Sequence, residues 1–119
     1  MSVVTAIFIA CNLSEISSYG ESGEERVPAI ESINNGGALS TVGHLKKLSE
    51  YTGGSKHPQV LVYGGGFNHL PLDEFESDVK AAPWEEPGNV RIWIKREDDE
   101  VVTQVTLVDN WAEKLEETE

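Results

Sequence analysis

The stretch Val3-Val4-Thr5-Ala6-Ile7-Phe8-Ile9-Ala10-Cys11 decides the fold. Its residues are β-branched, aromatic or small, and the apolar character is nearly unbroken. Such a run suits a strand at the centre of a sheet with both faces covered. The chain then turns polar from Asn12 to Glu25, with Ser17-Ser18, Gly20 and Gly23, and residues 12–25 read as a flexible loop. Val27-Pro28-Ala29-Ile30 suits either an edge strand or the start of a helix, because a proline cannot donate within a central ladder. Asn34-Asn35-Gly36-Gly37 breaks whatever precedes it.

Leu39, Val42, Leu45 and Leu48 recur every three residues, the mark of one helix face. Ser40 or Thr41 offers a cap, Lys46 and Lys47 suit a helix C-terminus, and Gly53-Gly54 ends the element, so a helix to about Tyr51 is predicted. Gln59-Val60-Leu61-Val62-Tyr63 reads as a short buried strand between Pro58 and three glycines. Gly64-Gly65-Gly66-Phe67-Asn68-His69 then reads as a flexible loop. A second helix starts near Leu72, with Leu72, Phe75 and Val79 turned inward and Pro83 as its stop. Val90, Ile92 and Ile94 alternate with Arg91, Trp93 and Lys95, and the pattern resumes over Val101–Val108, which describes a hairpin. In that register Trp93 points away from Ile92 and Ile94. Asp109-Asn110 caps a short helix from Trp111 to Glu117, and 112–119 is an acidic tail that frays unless Trp111 and Leu115 dock.

The resulting order is β-α-β-α-β-β in a single domain, 1–119. It predicts an α+β two-layer sandwich: a mixed sheet of four strands, or five with one near Val27, and two main helices on one face. The first strand–helix–strand unit predicts a parallel pair with a right-handed crossover.

The formal net charge is −12 over 119 residues and lies mostly in the second half. Residues 1–59 carry six acids against four bases, and 60–119 carry fifteen against five. Such a field opposes direct binding to nucleic acid or an anionic membrane and favours basic partners. One cysteine permits no internal disulfide, and the apolar N-terminal run is far below the roughly 20 residues needed to span a bilayer. A cytoplasmic protein is the expectation.

Chemistry-bearing patterns are weak. Gly64-Gly65-Gly66 stands between a strand and a helix, where phosphate loops occur, yet its spacing fits no phosphate-binding motif and acids follow it. Tyr63, Gly64, Gly65, Gly66, Asn68 and His69 form the one ligand-loop candidate, with His69 as its only imidazole. His44, His57 and Cys11 have no metal-ligand spacing, and Glu97-Asp98-Asp99-Glu100 lacks the alternation and glycine of a calcium loop. No metal, cofactor or catalytic residue is therefore assigned, and Cys11 reads as a buried thiol.

The acids of the second helix and the following loop, Asp73, Glu74, Glu76, Asp78, Glu85 and Glu86, flank Trp84, a residue type enriched at interfaces. They are the predicted contact surface for a basic protein partner. The expected function is a small non-enzymatic protein-binding module: an inhibitor, immunity-type protein or phage-type regulator acting on a nuclease or other nucleic-acid-binding protein. A small enzyme or ligand-binding domain at the glycine segment, and a structural or oligomerisation subunit, are the alternatives. The sequence leaves monomer and dimer equally open.

Overall fold

A computed structural model describes residues 4–48, 53–56 and 58–107. The predicted C-terminal helix and acidic tail, and His57, lie outside the described residues. The elements are β1 (Val4–Asn12), β2 (Ser18–Tyr19), β3 (Glu25–Arg26), α1 (Pro28–Asn34), β4 (Lys46–Lys47), β5 (Val60–Asn68), α2 (Leu72–Ala81), β6 (Arg91–Arg96) and β7 (Thr103–Thr106). Five strands form one sheet in the order β4-β5-β1-β6-β7, and β2 and β3 form a separate small ladder. The fold is an α+β two-layer sandwich, with β1 at the centre of the sheet.

The sheet is antiparallel throughout rather than mixed. The expected parallel neighbour of β1 fails because β4 intervenes. β1 and β4 run the same way with β5 between them, and β5 and β6 run the same way with β1 between them. Each helix thus makes its crossover over an intervening strand, the split β-α-β arrangement.

The predicted helix over 40–51 is absent from its described part. Lys46–Lys47 is extended instead, and the helix before it is α1, which begins on Pro28 at a position where a missing N–H costs nothing. Two local causes override the spacing of three. Gly43 has φ +129°, outside helical space. Asn34 grips the backbone of Leu45, donating from Nδ2 to the carbonyl (3.3 Å) and accepting its N–H at Oδ1 (2.8 Å). Leu39 and Leu45 still reach the core, from a turn and a strand entry.

The segment after β1 is built: a 3-10 turn at Leu13–Glu15 leads into the β2–β3 ladder. Gly64, Gly65 and Gly66 lie inside β5 rather than in a loop, paired in register with Phe8, Ile7 and Ala6. Their backbone groups complete the ladder on β1, which outweighs the low strand propensity of glycine.

Ile7, Ile9 and Cys11 of β1 pack with Leu61, Tyr63 and Phe67 of β5 and Ile92 and Ile94 of β6. Ala29, Ile30 and Ile33 of α1 and Phe75 and Val79 of α2 close the core from the same side. Burying a side chain of this size contributes roughly 1.5–3 kcal/mol. Among the described residues the opposite face of β1 is not covered as expected: Phe8 stays 41% exposed, because α1 and α2 lie on the same side.

Candidate functional site

The predicted acidic surface sits on α2 and the loop that follows it. Phe75 and Val79 hold α2 to the core, which sets its acids on the outer surface of the helical layer. Several of those acids have structural work. Glu76 pairs with Lys80 one turn on (2.8 Å). Asp78 accepts the backbone N–H of Ala38 (3.0 Å), tying α2 to the turn after α1. The Glu74 carboxylate lies over Gly37, where any Cβ would displace it. Trp84 is half-buried against the core and donates its indole N–H to the Val79 carbonyl (2.9 Å), so it plugs the end of α2.

The residue that organises this loop is Glu15, a buried charged side chain at 1% exposure. Its two carboxylate oxygens accept the backbone N–H groups of Glu85 (2.9 Å) and Glu86 (2.8 Å). Glu86 is gripped in turn. Its carboxylate accepts from the Ser14 hydroxyl, from Asn12 Nδ2 (3.0 Å) and from Asn89 Nδ2 (2.8 Å). Those bonds, Ser14's foremost, hold its pKa below the usual carboxylate range. Sequence reasoning missed Glu15 by assigning it to a loop. The available signal was a lone acid between Leu13 and Ile16 at the end of an apolar strand. Asp73 and Glu85 remain as outward carboxylates with no hydrogen bond or ion pair among the described residues.

The ligand-loop candidates do not converge. Tyr63, Gly65 and Phe67 face the helices, while Gly64, Gly66 and Asn68 face the other way, because side chains alternate along β5. His69 is exposed in a left-handed conformation (φ 56°) just after the strand. His44 is also exposed. Cys11 is buried, and its thiol is pushed up to about 12 by that burial and then by the nearby Glu15 charge. A thiol held neutral is no nucleophile. Among the described residues no three His, Cys, Asp or Glu side chains gather as a metal site. None of the described helices is long and apolar enough to cross a membrane.

A surface groove of about 800 Å³ lies beside the β2–β3 ladder, lined by Leu13, Ile16, Tyr19, Lys47 and Val60 among others. Its lining mixes apolar side chains with polar ones, and the Lys47–Glu25 ion pair forms part of its wall.

Comparison of the chain with protein-family models, with curated proteins and with solved structures finds no match.

Proposed function

We propose that this chain is a small acidic, non-enzymatic protein-binding module of the inhibitor or immunity type. It acts in the cytoplasm by neutralising a basic protein partner, such as a nuclease or another nucleic-acid-binding protein. The observation that carries this reading is the clamp on the 84–87 loop. Glu15 fixes the backbone of Glu85 and Glu86, and Trp84 is locked by Val79. The outward Glu85 carboxylate therefore stands on rigid backbone, on the same helical layer as Asp73. A preorganised acidic surface loses little entropy on binding, and a net charge of −12 steers a cationic partner toward it.

The test is capture of partners from a lysate at low and high salt, followed by association kinetics of the captured protein. The double variant Asp73→Lys/Glu85→Lys is expected to slow association and flatten its salt dependence while leaving the fold intact. Unchanged kinetics would remove this surface.

One observation favours a second reading, a small-ligand site: the groove beside Tyr19 has the size of a ligand pocket. Saturation-transfer NMR with an aromatic-acid fragment set, compared between the native chain and Tyr19→Ala, separates the two readings.

A further inference from the structure

The split β-α-β arrangement places α1 and α2 on one side of the sheet, and among the described residues the other side has no helical cover. Phe8 stands at the centre of that open face, in register with Gly64 on β5 and with Trp93 on β6. Phe8, Val4 and Val60 are exposed there, and the half-buried Trp93 donates its indole N–H to Gln104 on β7 (2.8 Å), which fixes the ring. Ala6 and Gly66 oppose one another beside Phe8, and a Cβ at Gly66 would meet only Val4. The small pair leaves a shallow dip between Val4 and Phe8.

The charge of this face is opposite to that of the chain. The sheet register puts Lys46, Arg91 and Lys95 on it and places no Asp or Glu within the paired strand positions. None of the three cations joins an ion pair among the described residues. The pairs there are Arg26–Glu31, Lys47–Glu25 and Lys80–Glu76, all made by other cations. Among the described residues, carboxylates stand at the two ends of the central strand: Glu97 accepts the Val4 N–H (2.7 Å), and Glu86 accepts from Asn12.

We infer that the open sheet face binds an acidic protein segment anchored by an aromatic or long aliphatic side chain. The anchor seats against Phe8 and Trp93 in the dip over Gly66, and the segment's carboxylates meet Lys46, Arg91 and Lys95. Charge complementarity selects this occupant. A second copy of the chain would set three cations against three, and like charges brought together across an interface cost affinity. A nucleic acid strand needs many phosphate contacts for affinity, yet it would find three cations and meet Glu97 or Glu86 at either end. The inference goes beyond the basic partner proposed above and uses the opposite face, so the module would hold two partners of opposite charge.

The test uses the isotope-labelled full chain and a short synthetic peptide alternating Glu with Trp and Leu. The peptide is expected to shift the Trp93 indole N–H and the amides of β1 and β6. Arg91→Glu/Lys95→Glu should weaken it by more than about tenfold, as for charges at the centre of an interface. Asp73→Lys/Glu85→Lys should leave it unchanged, which separates this face from the helical one. Because Arg91 is partly buried in the ladder, Lys95→Glu alone is measured as a gentler variant, and amide exchange of β1 verifies the sheet. Four results overturn the inference: no shift, an equal response to a peptide with Lys in place of Glu, tighter binding of oligothymidylate, or Trp93 shifts that follow protein concentration. Trp93 shifts on Trp111→Ala without peptide would also overturn it, by assigning the face to the chain's own 108–119.

Discussion

The ring of Phe8 on β1 lies across Gly64 on β5, so closely that a Cβ at residue 64 would stand 2.6 Å from Phe8 Cδ1. A cross-strand aromatic covering a glycine restores packing that the glycine lacks. The pair accounts for the glycine at position 64, and Gly65 lies in the same way against the ring of Phe67.

Gly64→Ala is therefore expected to destabilise the protein by about 1 kcal/mol. Overpacking costs typically 1–3 kcal/mol, offset in part by the roughly 0.4–1 kcal/mol gained when a glycine leaves the unfolded chain. In a Phe8→Ala background much of the loss should disappear, since the obstructing ring is gone and what is left in the way is the flexible end of Leu48, 2.9 Å from that Cβ. Urea unfolding of the four proteins in a double-mutant cycle measures this coupling. Strict additivity would show that the ring and the glycine are independent.

Glu15→Ala should be among the most damaging single substitutions, at about 3 kcal/mol, because two part-buried backbone N–H groups lose the charged acceptor that Glu15 supplies from the core. Glu15→Gln should cost less, about 2 kcal/mol, since an amide keeps one acceptor but turns a donor toward the other N–H. Denaturant midpoints check both values. A loss under about 0.5 kcal/mol, the range of ordinary surface changes, would contradict the clamp.

Cys11 should resist thiol reagents in the folded protein at about pH 9, where an unfolded thiol reacts freely. Its pKa is raised to about 12 in the fold. The stability it contributes is full below the unfolded value near 8.5 and falls as pH rises toward the folded one. Labelling in native buffer against labelling in urea tests the first point. A shallower alkaline loss of stability in Cys11→Ala tests the second.

At the acid end the sign reverses. Hydrogen bonding from Arg26 lowers the Glu31 pKa, and bonding from Ser14 and then Asn12 lowers that of Glu86. Both contribute stability above the unfolded carboxylate value of about 4.3 that is lost as pH falls through the folded values. Both groups are solvent-exposed, so the effect is small, and the Arg26–Glu31 part weakens with salt. Urea midpoints between about pH 6 and pH 3 should fall less steeply for Glu86→Gln than for the native chain. Equal slopes would show that the Ser14 and Asn12 bonds do not favour the ionised form.

The legible parts of the fold were those where one periodicity acts alone. Leu72, Phe75 and Val79 read as a helix stripe, and Phe75 and Val79 are fully buried on α2. The alternation of Ile92 and Ile94 with Arg91, Trp93 and Lys95 gave the hairpin and put Trp93 on the side where it stands. Leu39, Val42 and Leu45 misled because a turn and a strand entry can also deliver apolar side chains at intervals of three. The Asn34–Leu45 bonds that override the helix join residues eleven apart, beyond any local pattern. The glycine run misled for a similar reason: what stabilises Gly64 as strand is Phe8, far away in the chain.

By itself the sequence determined the elements with strong local signals, the α+β layering and the acidic charge, because composition and period act within a few residues of chain. Only the tertiary structure decided the strand order, the exposure of Phe8 beside the half-buried Trp93 on a face without carboxylates in its paired positions, and the burial of Glu15 beneath Glu85 and Glu86. Each depends on contacts between distant segments. A carboxylate can be buried only where a second segment supplies the N–H groups that replace water, and nothing near Glu15 in the chain announces that partner.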